Sequence, residues 1–403
     1  PQMQADHTDR ILEIHAGKEL ADVLYYHKFY TAHEPSDWAG FSIGQSDVNP
    51  NNIKVTLLTL EGQIYNSELG NPTNQLFGNF DLSFVIVFLF PLIIIAFTHN
   101  LISAEQESGT WSLLRSQPVS VWKIFWFRIG LRFLIVSATA IALITLGSAF
   151  LGAAFDGRFL YAILLTLVYF AFWFGISAFV ISFGKGTTFN ALSLLGAWIF
   201  LVILAPALLS SVIATIFPVS ESLETTIAQR EGYHEKWDKP KAETMERFYK
   251  KYPQFKDIPI PEDKFTWGWY YAMQEMGDFE SADATERYAE KLIQRKAFTE
   301  KAAWFLPTVN TQLQFNEIAS TNLESHLEYL DSVRDFHTKI RQTYYPDIFK
   351  DAKLSDVNLK ESPKHSFKNQ SDLNYFNSQF LALILLSLGL FTMTIMRFSL
   401  KRT

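Results

Sequence analysis

The chain has 403 residues, a net charge of −6 and no cysteine, which excludes disulfides, thiolate metal sites and cysteine nucleophiles. With that charge balance and no long Lys/Arg stripe on a single face, nothing points to nucleic acid. The 48% hydrophobic content is ordinary for a soluble protein, but the average conceals two chemistries: charge is sparse over 80–217 and dense over 221–368.

In chain order, residues 9–30 carry a helical pattern, and 54–60 read as a short strand followed by a Glu61-Gly62 turn. A helix needs about 20 mostly apolar residues to cross about 30 Å of hydrocarbon. Five stretches qualify: 82–102, 133–153, 160–183, 191–217 and 376–396. Pro91 and Pro206 fall inside spans, where they are candidate bends. No charge lies in the apolar centres, so a proton relay or ion path is disfavoured.

Lys and Arg fix the expected orientation. Arg115, Lys123, Arg128 and Arg132 flank the first connection, Lys185 lies in the third, and Arg397, Lys401 and Arg402 follow the last span. That side is expected to be cytoplasmic, which places 1–79, the Asp156-Gly157-Arg158 turn and the insert 219–375 outside. An outer amino terminus before an inward-running span leads us to expect a further helix upstream of Pro1.

The insert reads as mostly helical, over 220–230, 240–251, 282–305 and 309–345, punctuated by Pro253, Pro259, Pro261 and Pro307. In the last of these, Phe315, Ile318, Leu323, Leu327, Leu330, Val333 and Phe336 form an approximate packing stripe. The expected fold is therefore mainly α: a polytopic helical membrane protein of five visible spans and a sixth upstream, with a mostly helical extracytoplasmic domain. The divisions are 1–79, 80–218 with an elbow at 103–132, 219–375, and 376–403. The two water-facing pieces are expected to pack together.

The elbow, Ser103 to Ser120, is the most informative stretch. Glu105 and Glu107 leave the membrane, Gly109-Thr110 permits a turn, Leu113 and Leu114 sit on a short apolar helix, and Pro118 breaks it. In the aromatic segment that follows, Lys123, Arg128 and Arg132 can snorkel to lipid headgroups. Other chemistries fail. Gly184-Lys185-Gly186-Thr187-Thr188 looks like part of a phosphate loop, but the first glycine of that motif would fall at Phe179, inside a span. His326 and His337 would lie about 16 Å apart along one helix, too far for one metal.

The run Glu-x-Glu-x-Gly-Thr, Leu-Leu, Pro-Val-Ser resembles the cytoplasmic coupling region of type-2 ABC exporter permeases. The resemblance implies a permease that is not itself an enzyme. It holds no cofactor, and ATP and magnesium belong to a partner ATPase subunit contacted by Glu105, Glu107, Gly109, Thr110, Leu113 and Leu114. A second permease and membrane lipid are the other implied partners, in a bacterial cytoplasmic membrane. The segment Phe305-Leu306-Pro307, Ala319-Ser320-Thr321-Asn322 and His326 resembles a subgroup with a large external insert. The competing reading is a membrane-anchored receptor or scaffold whose outer domain binds envelope proteins; a membrane hydrolase lacks a catalytic constellation.

Overall fold

The computed structural model describes residues 2–15, 17–49, 51–65, 80–218, 237, 240–369 and 375–400. The helix expected over 220–230 lies outside the described residues. Among the described residues, five helices are long and apolar enough to cross a membrane: Leu82–Glu107, Val121–Leu151, Gly157–Ile181, Thr187–Ile216 and Ser378–Ser399. The protein is thus a mainly α, polytopic membrane protein. The spans are referred to below by number. They share an elbow end, where 103–120 sits, and a domain end opposite.

The second span starts well before the expected 133, because the aromatic segment continues the same helix without a break. Ser120 caps it by accepting from the Lys123 N–H at 3.3 Å, and Gly152, at φ 71°, ends it. Asp156 caps the third span, accepting from the Arg158 and Phe159 N–H groups. This third span is the axis of the bundle, its buried face running from Tyr161 to Ile181. Gly175 brings it close to the fifth, since a Cβ there would stand 3.1 Å from Leu390.

Both candidate bends are π turns. Val85–Leu89 precedes Pro91 and Ile199–Leu204 precedes Pro206. Proline has no N–H to offer the carbonyl four residues back, and its ring crowds that carbonyl, so the turn before it widens. In the first span the orphaned acceptor is Val87, and the Tyr169 hydroxyl donates to it at 2.8 Å. The Trp198 indole N–H serves Phe88 in the same way at 3.1 Å. Tyr169→Phe should therefore leave a buried carbonyl unpaired and cost about 1–2 kcal/mol. Thermal unfolding of the detergent-solubilised chain checks this, and an unchanged melting point would mean that the π turn satisfies itself.

At the domain end, the amino-terminal residues and the insert share one core. Leu20, Leu24, Val55 and Leu57 pack with Phe248, Tyr271, Val333 and Ile340. The helical pattern over 9–30 resolves into Gln2–Ile14 and Leu20–Tyr26, separated at Gly17 with φ 93°. Only Lys54–Val55 is strand, paired antiparallel with Phe29–Tyr30, and the expected Glu61-Gly62 turn lies instead within the helix Leu60–Tyr65. His33–Glu34 pairs in parallel with Phe367–Lys368. In the insert, Lys241–Lys251 matches the reading closely, whereas the next helix starts early, at Trp267, where Thr266 caps it, and runs to Ala303.

The single helix expected over 309–345 is two, Pro307–Ala319 and Leu323–Ile348. Ser320 breaks it in the left-handed region, at φ 55°, and Asn322 caps the second helix through the Ser325 N–H. The apolar stripe is divided accordingly. Phe315 and Ile318 belong to the core of the spans, and Leu330, Val333 and Phe336 to the core of the large domain.

Candidate coupling elbow and domain junction

The elbow is two short helices, Ser103–Glu107 and Trp111–Ser116, joined through Gly109 at φ 77°. Its far side stands clear of the bundle, with Leu113 65% exposed, Val119 exposed and Leu114 half-buried. Glu105 is half-buried and Glu107 exposed, and both are engaged by the bundle. Arg128 of the second span donates to Glu105 at 2.8 Å and to the Leu101 carbonyl at 2.9 Å, while the Thr110 hydroxyl donates to the other Glu105 oxygen. Glu107 accepts the Thr187 N–H at 2.7 Å.

Thr187 opens the helix of the fourth span, so Glu107 occupies the position at its N-terminus that favours an anion. The Gly184–Thr188 run is accordingly a turn whose phosphate-like position is filled by the chain's own carboxylate. The Ser103 and Thr187 hydroxyls, 2.7 Å apart, tighten the same joint. Of the residues assigned to the elbow by sequence, Glu105, Thr110 and Arg128 come together, Glu107 braces the opposite flank, and Leu113 faces outward. Lys123 is exposed, and Arg132 lies one turn beyond Arg128.

At the domain end, the insert enters the bundle, which the sequence reading did not anticipate. The carboxyl end of Trp267–Ala303 lies along the fourth span, where Arg295 donates from Nε and Nη2 to the Phe217 carbonyl at 2.8 and 2.6 Å. After the Trp304-Phe305-Leu306 turn, Pro307–Ala319 returns against both π turns and the third and fifth spans. The tip is apolar, with Phe305 77% exposed. Val85–Leu89 begins three residues into the first span, so the hairpin reaches about 5–10 Å below its end at 1.5 Å per residue.

Most polar side chains on the returning helix are paired, the buried Thr308 hydroxyl being an exception among the described residues. Tyr161 donates to Gln314, Gln314 to Asn310, and Asn310 to the Gln379 carbonyl at 3.0 Å. On another side Gln312 donates to Ser83 at 3.0 Å and Ser42 donates to Asn316 at 2.7 Å. Buried polar groups at this depth need such partners. The Phe305-Leu306-Pro307 signal marked this turn, but nothing in the helical periodicity showed that it dips into the bundle.

Beside the hairpin lies a cavity of about 810 Å³, lined by Leu292, Lys296, Glu317, Leu323, His326 and Leu327 among others. Lys296 is tied to Glu300 at 3.0 Å and to Glu324. Burial first, then the nearby His33 and Arg334, holds the His326 imidazole down at about 4, so it is neutral at pH 7. Burial pushes the Glu317 carboxyl up, against the pull of Lys296. His337 is elsewhere, buried with its Nε2 2.9 Å from the Thr56 carbonyl, so the two histidines share no site.

The architecture and the site define a polytopic membrane protein with a braced elbow at one end and a large domain let into the other. Residues 223–368 match the family described as a domain of unknown function, DUF3526; the spans and the elbow lie outside the matched residues. The chain matches no curated protein and no solved structure.

Proposed function

We propose that the chain is the permease subunit of an ATP-driven exporter of the type-2 ABC class, seated in a bacterial cytoplasmic membrane. Its elbow faces the cytoplasm and its large domain lies outside. The observation that carries this reading is the elbow itself. It is tied to the second span through Arg128–Glu105 and to the fourth through Glu107–Thr187, while Leu113 and Val119 project toward water. Such a part can take a push from a docked ATPase and pass it to two spans at once. A helix that merely anchors a receptor needs no brace at its far end and no hairpin wedged against two π turns.

In this mechanism ATP and magnesium act in the partner, and this chain contributes docking and transmission. Cargo is larger or amphipathic, since the span centres offer no ion path. A second permease, the same or homologous, completes the pore. The test is purification from the native host in mild detergent, with co-purifying proteins identified by mass spectrometry and ATPase activity measured. A stoichiometric ATP-binding subunit is the expected result. Recovery of envelope proteins alone, with no ATPase, would replace this reading with the scaffold.

A further inference from the structure

Between the first and second spans, near their elbow ends, lies a groove of about 590 Å³, lined by Phe97, Leu101, Leu131, Arg132, Ile135 and Val136, with Asn100, Glu105 and Arg128 also in its wall. Hydrocarbon about 30 Å thick corresponds to about 20 helical residues. Counting back 20 residues from Leu151 at the end of the second span reaches Arg132. Counting forward 20 from Leu82 at the start of the first reaches Leu101. Two independent counts thus place this groove at one level, where the hydrocarbon meets the headgroups.

The charges at the groove are not equivalent. Arg128 is committed to Glu105 and to the Leu101 carbonyl, and Glu105 is neutralised by Arg128 and bonded by Thr110. Arg132 differs, because its Nη1 is a buried donor with no partner among the described residues. A buried guanidinium N–H without an acceptor is costly and calls for one. The groove therefore combines one uncommitted cation, apolar walls on the bilayer side and a position at headgroup depth.

We propose that this groove is a binding site for an anionic phospholipid of the elbow-side leaflet. The lipid phosphate accepts from Arg132, and one acyl chain runs down Leu131, Ile135 and Val136 against Phe97. A phosphate suits the planar guanidinium, whose fork can donate two bonds at once. The lipid would join the two spans next to the Arg128–Glu105 brace, and so stiffen the elbow. This inference depends on the chain lying in a membrane and not on the identity of any ATPase.

The test uses the full chain, purified in detergent and stripped of lipid, then titrated with phosphatidylglycerol, phosphatidylcholine or inorganic phosphate. Native mass spectrometry reads bound lipid and thermal unfolding reads stabilisation. One phosphatidylglycerol should be retained, raising the melting point where phosphatidylcholine and free phosphate do not. Arg132→Gln should weaken binding about tenfold, the usual size for losing a charge-assisted bond, and Arg132→Lys should keep part of it. Ile135→Trp, which fills the groove and leaves both arginines, should also abolish retention. The proposal is overturned if Arg132→Gln binds phosphatidylglycerol as the wild type does, if phosphatidylcholine is retained equally, or if inorganic phosphate alone reproduces the shift.

Discussion

Arg341→Met should destabilise the large domain by about 3–5 kcal/mol, the usual result of removing one partner from a buried ion pair. Arg341 is 4% exposed and Glu275 2%, and the guanidinium stands 2.6 Å from Glu275 and 2.8 Å from Asp278. Arg341 also donates to the Leu57 and Leu58 carbonyls at 3.2 and 2.8 Å, which fastens the amino-terminal segment to the insert. Methionine would fill much of the volume but leave two carboxylates and two carbonyls without that cation. Lys251 at 2.6 Å and the Tyr345 hydroxyl at 3.0 Å remain on Glu275, so the loss is not total. Denaturant titration, read by the near-ultraviolet signal of the domain's tyrosines and tryptophans, measures the cost. The double variant Arg341→Met, Glu275→Gln should recover part of it, and a full additive loss would show that the two side chains do not act as a pair.

The same network sets the acid response. Burial alone would raise the Glu275 carboxyl, but Arg341 and Lys251 hold it down at about 2. A group whose folded pKa is depressed contributes stability above its ordinary range, and loses that contribution as pH falls toward the folded value. Glu275 therefore stabilises the domain at neutral pH and ceases to do so between about pH 4.5 and 2. Asp278 works the other way. Burial pushes it up despite Arg341 and the Leu60 N–H, so its ionised form offsets part of the gain at neutral pH. The network's net acid sensitivity is accordingly smaller than Glu275 alone would give.

How legible these features were depends on which signal each residue carries. The spans were plain because lipid demands long uninterrupted apolar runs, and Pro91 and Pro206 correctly marked distortions although not their π form. The elbow was legible as a turn from Gly109 and Pro118. The direction of its carboxylates was not, because the partners of Glu105 and Glu107 are Arg128 and Thr187, distant in sequence. The hairpin was hidden for a different reason. Asn310, Gln312, Gln314 and Asn316 give Pro307–Ala319 the composition of a water-facing helix, and only neighbours such as Tyr161, Ser83 and Gln379 make that polarity acceptable inside the bundle. Ser320 carries no strong break signal, so two helices read as one.

The bonds that tie Glu105 and Glu107 back to the bundle separate two jobs that a coupling elbow must do, and a pair of variants should tell them apart. If the permease reading holds, docking falls to the exposed apolar surface around Leu113, and transmission falls to the braces behind it. Leu113→Glu should then weaken association with the ATPase subunit by about 30-fold or more, the size of a hot-spot loss of about 2 kcal/mol. Glu105→Gln with Glu107→Gln should leave association within about threefold, since side chains already held by Arg128 and the Thr187 N–H contribute little to a partner. What they should remove is the response, because Arg128 and the Thr187 N–H would no longer be held by charged acceptors and the elbow could move without the second and fourth spans. Cargo-dependent transport would fall while ATPase binding persisted. Glu105→Lys with Glu107→Lys should uncouple transport more completely, with membrane insertion intact. The first exchange sets an ammonium against Arg128, and the second sets one against the positive end of the fourth-span helix. The measurement is ATPase association by pull-down alongside transport in reconstituted vesicles. Loss of binding in the glutamine pair equal to that of Leu113→Glu would put the carboxylates in the interface after all, and unchanged transport in the lysine pair would remove them from the mechanism.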